Sequence, residues 1–229
     1  ARSEVLIHNM LPEGIAMRLR ENPSHLADHY SSATILFAHI YGFTSISSQI
    51  DPTEGVNILN DLFSMFDDLV DEYGLNKVKT MGECYMVSSV PVQSDRNSND
   101  CSRTCHFALD MIEALQAYTI KNPNHNLKLR IGINVGPVVA GAVGKKRFCY
   151  DFWGETVIIA SKVERLGLPG KIQVTKDVVD IMKDEFSFES RGPLDISEAV
   201  SMETFFLMDR RILGTPRKRR ALPPKNDGK

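Results

Sequence analysis

Apolar and polar residues along this chain fall into two rhythms, one helical and one extended. Across residues 4–22 (EVLIHNMLPEGIAMRLREN) they alternate at helical spacing up to and beyond Pro12, where a proline ends or kinks the helix. Residues 33–40 are a continuous apolar run with β-branched members, the pattern of a central strand. Asp51 and Pro52 open a helix, the aspartate as N-cap and the proline in first position. Val56, Leu59, Leu62, Phe63, Phe66, Leu69, Val70 and Tyr73 then recur at spacings of three and four, a core-facing stripe that Gly74 stops. Residues 77–80 and 84–90 predict two strands around a Met81-Gly82-Glu83 hairpin, and 94–100 a polar loop. Residues 101–121 predict a second long helix with Phe107, Met111, Ile112 and Leu115 inward. Residues 127–135 alternate as a strand and lead into the small-residue segment 136–144 (GPVVAGAVG). A helix over 155–166, a strand over 171–175, a short helix over 176–185 and a last strand over 204–208 complete the pattern.

The order βαββαβ followed by a further αβ portion predicts an α/β (α+β) fold, a ferredoxin-like core with extensions. At 229 residues and 42% hydrophobic, the chain suits one such core with appendages rather than two domains. A net charge of −2 gives no global attraction to nucleic acid or to a membrane. The end of the chain is the exception. Arg210, Arg211, Arg217, Lys218, Arg219, Arg220, Lys225 and Lys229 crowd it, among Pro216, Pro223 and Pro224. Such a tail reads as a solvated disordered end, or as a contact for anionic lipid or a localisation signal. Cys84, Cys101, Cys105 and Cys149 show no CxxC spacing, and the pair at 101 and 105 shares a helix face as packing. No signal peptide and no apolar run of about 18 residues is present, so a cytoplasmic, reducing setting is expected. The start at Ala1-Arg2-Ser3, without methionine, predicts a piece of a longer protein.

Three stretches carry the chemistry: FAHIYGFT at 37–44, KTMGECYM at 79–86 and YDFWGETVIIASK at 150–162. The first two are short apolar strands running into glycine-containing turns. Together they resemble the catalytic domains of class III nucleotide cyclases, over roughly residues 33–208. The resemblance implies conversion of ATP or GTP to a cyclic nucleotide and pyrophosphate, by in-line attack of the ribose 3′ oxygen on the α-phosphorus. It also implies a dimer with sites at the interface, and two divalent ions, Mg2+ or Mn2+.

In that family two aspartates hold the ions; here their positions are His39 and Glu83. Magnesium wants hard oxygen ligands, so an imidazole is a poor replacement. The extra methylene of Glu83 moves its carboxylate, and a misplacement of about 1 Å can cost on the order of 100-fold. Base recognition is better kept. Adenine-selective members carry a lysine and an aspartate at the positions of Lys79 and Asp151, one donating to ring N1 and one accepting from the exocyclic amine. Phe43 and Thr44, in the first motif, are further substrate-binding candidates. The family's ribose-orienting asparagine corresponds to Ile158 and its phosphate-neutralising arginine to Lys162. Isoleucine cannot hydrogen-bond, and lysine loses the planar fork. Residues 196–202 (ISEAVSM) lack the lysine of the family's last turn. Segment 136–144 lacks the GK[ST] ending of a P-loop and by resemblance is a tight turn at the dimer face.

The pattern is similar to the second cytosolic half of animal transmembrane adenylate cyclases, which relies on a partner for its metal site. The expectation is therefore a helical transducer segment over 1–30, a cyclase domain over 31–209 and a basic tail over 210–229. The domain would bind ATP, form a homodimer or a heterodimer with another cyclase domain, and take Mg2+ or Mn2+ through the partner's site. Alone it would be weakly active or inactive, below an upstream sensor or membrane region. The alternative is a non-catalytic pseudo-cyclase that binds nucleotide or dimerises.

Overall fold

The computed structural model describes residues 11–21, 26–92, 99–143 and 149–212. Its elements are α1 (Glu13–Glu21), β1 (Ala27–Tyr41), α2 (Phe43–Ser47), α3 (Pro52–Tyr73), β2 (Asn76–Met81), β3 (Cys84–Ser88), α4 (Asp100–Lys121), β4 (Lys128–Val143), β5 (Cys149–Trp153), α5 (Glu155–Arg165), β6 (Ile172–Thr175), α6 (Lys176–Met182), β7 (Phe186–Ser197) and β8 (Val200–Arg210). The strands form one sheet in the order β2-β3-β1-β4-β6-β8-β7, with β5 paired to β4 beside that path. Among the described residues only β4 and β6 run parallel; the other pairings are antiparallel. The first four strands and their helices are the ferredoxin-like core the pattern predicts.

Alternation along β1 sorts its side chains between two faces. Leu36, Ala38 and Ile40 enter one core with Leu62 and Phe66 of α3, Phe107 and Met111 of α4 and Val178 of α6. Ala33, Ile35 and Phe37 enter a second core with Met86, Tyr150, Phe152 and Ala160, where Leu11, Ile15 and Ala16 of the α1 segment are also buried. Each fully buried side chain of this kind stabilises by about 1.5–3 kcal/mol. Helix ends follow local chemistry. Asp51 accepts a hydrogen bond from the Thr53 amide at 2.8 Å, and Gly74 closes α3 at a left-handed φ of 61°. Asn99 caps α4 by accepting from the Cys101 amide at 3.1 Å. Cys101 and Cys105 are both buried, as packing residues.

Several expectations are corrected. The small-residue segment from 136 is strand rather than turn: β4 continues to Val143, because its backbone pairs with the first half of β1 and with β5. β1 starts at Ala27, six residues before the apolar run, with a register shift between Tyr30 and Ala33. Val56 is exposed, since the buried stripe of α3 is Gly55, Ile58, Leu62, Phe66 and Val70, and Val56 lies about 100° round the helix from Gly55. The chain after α6 is a long hairpin, β7 with β8, rather than a single short strand. Arg210 is not tail. It ends β8, donates from Nε to His106 Nδ1 at 2.9 Å and pairs with Asp110. Arg211 donates to the Phe186 carbonyl at 2.8 Å. Residues 4–10, positions 94–98 of the loop expected over 94–100, the cations Lys145, Lys146 and Arg147, and the expected tail from 213 lie outside the described residues.

Candidate active site

The face of β1 that carries Phe37 continues to His39. Register sets Cys84 of β3 on one side of His39 and Arg130 of β4 on the other. A cavity of about 400 Å³ opens here. Phe37, Met81 and Met86 form its apolar wall, and His39, Lys79 and Cys84 its polar edge. Arg130, Ser161, Glu164 and Arg165 close the side under α5.

The two metal-position residues do come together. The Ile40 amide donates to the Glu83 carbonyl at 3.1 Å, stitching the end of β1 to the hairpin, and Gly82 turns that hairpin at φ 58°. His39 Nε2 then stands 3.8 Å from Glu83 Oε1. The same Oε1 accepts from the Thr44 hydroxyl at 2.9 Å. Thr44 is thus tied to the metal-position carboxylate. Phe43, expected as a substrate contact, instead turns its ring into the helix-covered core and does not line the cavity.

A pair of divalent ions needs several hard oxygens around each. One imidazole and one carboxylate already engaged by a hydroxyl do not make that set. Among the described residues no three His, Cys, Asp or Glu side chains converge into a metal site. Among the described residues, His39 and Glu83 supply one imidazole and one carboxylate where two hard carboxylate ligands would suit a pair of divalent ions.

The base-position residues meet as well. Lys79 Nζ donates to Asp151 Oδ2 at 2.7 Å, both groups being partly buried. Asp151 Oδ1 accepts from the Phe152 amide at 2.8 Å, which fixes the carboxylate plane. The remaining two positions are not brought in. Ile158 is 57% exposed and does not line the cavity. Lys162 Nζ donates to the Ile196 carbonyl at 2.6 Å, so its charge is spent on the β7 backbone.

Sequence reasoning missed Arg130 and Glu164. Arg130 Nε donates to Glu164 Oε1 at 2.8 Å, joining β4 to α5 over the cavity, with the glutamate side chain only 4% exposed. Arg130, on the polar side of the alternating strand 127–135, was the available signal, because a charge in a half-buried strand needs a partner. Burial, with the nearby Glu164 charge, pushes the Cys84 thiol up to about 12, which favours its neutral form.

A ferredoxin-like sheet with this cavity on one face, and the three motifs around it, defines the class III nucleotide cyclases. The sequence matches the adenylate and guanylate cyclase catalytic domain over residues 26–209, and the chain belongs to that family. It is 41% identical over 230 residues to an adenylate cyclase of Mycobacterium tuberculosis, covering 99% of this chain and 51% of that protein. It is 38% identical over 208 residues to a receptor-type guanylate cyclase of Caenorhabditis elegans, covering 89% of this chain and 16% of the relative. Among solved structures, the guanylate cyclase domain of a rhodopsin–cyclase from Catenaria anguillulae, in complex with GTP, superposes with a TM-score of 0.71 at 29% identity. That match covers 80% of this chain and all (100%) of the other. The chain thus spans about half the length, or less, of these curated relatives. Among the described residues no helix is long and apolar enough to cross a membrane.

Proposed function

We propose that this domain is the base-recognising half of an adenylate-type cyclase, making cyclic AMP and pyrophosphate from ATP in a site shared across a dimer. The observation that carries the reading is the Lys79–Asp151 pair at 2.7 Å, whose lysine lines the cavity. An ammonium donates to adenine N1 and a carboxylate accepts from the 6-amino group. Guanine presents the reverse, a donor at N1 and an acceptor at C6. Entry of adenine exchanges the intramolecular pair for two charge-assisted hydrogen bonds, each worth about 1.5–3 kcal/mol. A wrong base leaves both partly buried groups facing like partners, which is how such sites discriminate. The similarity to the mycobacterial adenylate cyclase supports this reading, while the guanylate relatives make base selectivity the decisive test.

Cyclases of this family use Mg2+ or Mn2+. Since His39 and Glu83 do not suit those ions, the ligands would come from a partner domain that keeps its aspartates. The roles of this chain are then to bind the base, to orient the nucleotide and to present the cation of Arg165 on the cavity's flank. Alone, the domain turns over at trace level. The fuller protein would place it below a sensor or membrane segment, on the cytoplasmic side.

One observation favours a second reading, a nucleotide-binding regulator without turnover. Ile158 offers no hydrogen bond to the ribose, and Lys162 is held by the Ile196 carbonyl. Losing one preorganised transition-state donor costs roughly 100- to 1000-fold. The experiment is a cyclase assay with ATP and Mn2+, on the purified domain alone and mixed with a metal-competent cyclase domain. Activity that emerges only in the mixture and is reduced by Lys79→Glu supports the shared site. ATP binding without turnover in every mixture supports the regulator, and rapid turnover by the unmixed domain overturns both.

A further inference from the structure

Past the last turn of α5, cations and exposed apolar side chains share one end of the sheet. The loop over 166–171 (LGLPGK) crosses it. Leu166 is 40% exposed and Leu168 45%. The loop backbone is pinned, so the leucines are held at the surface. The Gly167 amide donates to the Glu164 carbonyl at 2.9 Å, the Gly170 amide to the Leu129 carbonyl at 2.6 Å and the Lys171 amide to the Leu168 carbonyl at 3.0 Å. Cations surround this loop. The guanidinium of Arg191, from β7, donates to the Leu166 carbonyl. A Cβ built on Gly170 would stand 3.8 Å from the Lys128 side chain. Lys171 and Arg191 both lie over the Phe206 ring, 5.9 and 5.5 Å from its centroid. Tyr41, also exposed, is the register partner of Lys128. Arg165 marks the border with the nucleotide cavity, which Lys128, Lys171 and Arg191 do not line.

Single exposed leucines are ordinary on a protein surface. Apolar groups gathered inside a rim of like charge are not, and mark a surface that meets something. Among the described residues Lys128, Arg165, Lys171 and Arg191 take part in no ion pair. Glu164 is already paired with Arg130. Glu189, opposite Phe206 in the register of β7 and β8, is the carboxylate at the border. Four cations without a counter-charge stand out on a chain whose net charge is −2. The chemistry fits a layer with anionic charge outside and hydrocarbon beneath. The leucines and the tyrosine enter the head-group boundary, and the cations meet the lipid phosphates and carboxylates. The leucines sit on a turn and not in a groove. That suits entry into a fluid layer better than docking to a rigid protein, where anchors fill pockets.

We propose that the loop over 166–171, with Lys128, Lys171 and Arg191 around it, is a docking surface for an anionic lipid bilayer. It is independent of the base-recognition reading, because none of these three cations lines the nucleotide cavity. The pull of a charged bilayer fades within a Debye length, about 8 Å at physiological ionic strength. Cations on this end of the sheet feel it. Lys183, which follows α6 on the opposite sheet face, does not.

The test is co-sedimentation of the whole chain with vesicles of phosphatidylcholine and phosphatidylserine, against vesicles of phosphatidylcholine alone. The unaltered chain should bind the anionic vesicles, bind the neutral ones far less, and come off as salt rises. Lys128→Gln with Lys171→Gln should weaken binding on the order of 25-fold, about fivefold for each charge removed near the surface, and flatten the salt dependence. Leu166→Ser with Leu168→Ser should weaken it several-fold and keep the salt dependence. Lys183→Gln, the control, should bind like the unaltered chain. Circular dichroism checks the fold of each variant; should one pair fail to fold, the other decides. Every variant keeps residues 213–229. If those basic residues carry the binding, both pairs bind like the unaltered chain and the proposal is refuted. Equal binding to neutral vesicles, or a loss in Lys183→Gln as large as in the lysine pair, refutes it too. A chain that ignores both kinds of vesicle overturns the bilayer assignment and leaves the patch to an acidic protein surface.

Discussion

Gly132 is the tightest point between the sheet and α5, and it offers a stability prediction with a calculable size. It lies on β4, opposite Phe37 of β1 and Gln173 of β6. A Cβ built on it would sit 2.3 Å from the Glu164 amide nitrogen, 2.6 Å from the Glu164 Cα and 2.7 Å from its Cβ. Ordinary contact between such atoms begins near 3.5 Å, so the overlap is about 1 Å. The obstructing atoms are backbone and cannot rotate aside; α5 must lift. Lifting it loosens Ala160 and Val163, both fully buried at 0% exposure, and stretches the Arg130–Glu164 pair that roofs the cavity. Overpacking of this kind costs about 1–3 kcal/mol, and a backbone obstacle sets the upper end. For a chain of this length each kcal/mol moves Tm by about 2–4 °C, so Gly132→Ala should lower Tm by roughly 6–12 °C. Thermal unfolding followed by circular dichroism measures it. The control is Gly14→Ala in α1, where an added Cβ meets nothing within 4 Å and Tm should hold or rise slightly. A Tm for Gly132→Ala within about 2 °C of the unaltered protein, or an equal fall in the control, would refute the close-approach argument.

Other outcomes follow from the site and its surroundings. Lys79→Glu should abolish or invert a preference for ATP over GTP analogues measured by calorimetry; unchanged selectivity would remove Lys79 from the base site. His39→Asp with Glu83→Asp should create divalent-ion binding, read as a calorimetric Mn2+ isotherm absent from the parent, because two hard oxygen ligands then share the mouth of the cavity. Cyclic AMP output should stay low in that double variant and rise by orders of magnitude only when Ile158→Asn and Lys162→Arg are added, in an assay with a dimeric sample. Burial, reinforced by the Arg210 charge, lowers the pKa of His106 below its ordinary 6.5. The folded state therefore resists protonating it, and the associated stability is complete above pH 6.5 and is lost as pH falls below that value. Urea midpoints taken between pH 7.5 and 5.5 should decline on the acid side, less so in His106→Asn; an equal slope in both would clear His106 of the effect.

Local sequence determined a good deal here. Periodicity placed α3, α4 and α5 and the strands carrying the motifs, because apolar spacing reports which face of an element meets a core. The motif positions also specify which donor atoms stand at the cavity and beside it: an imidazole at His39 and an ammonium at Lys79 in its lining, and a carboxylate at Glu83 next to His39. Lys79 and Asp151 come from two separate motifs 72 positions apart, and only the fold shows that they touch. Some strand, however, was illegible. β7 shows little burial on either side, so its residues carry no alternating signal. The far half of β4 is built of small residues that look like a turn until β1 and β5 supply its hydrogen-bond partners.

What tertiary structure alone decided is which distant groups share each atom. Lys162 keeps a positive charge in the sequence, but only the fold shows that charge bonded to the Ile196 carbonyl, 34 positions away. Arg130 and Glu164 read as separate charges in a strand and a helix until the packing of α5 onto Gly132 joins them. Asp28 carries no motif, and its place between Arg18 and Tyr150 depends on contacts 10 and 122 positions apart. The reason is physical: φ, ψ and facing are local and are written in neighbouring residues, whereas hydrogen bonds and ion pairs depend on distance in space. That distance is set only when the sheet order brings β5 beside β4 and seats α1 and α5 on one face.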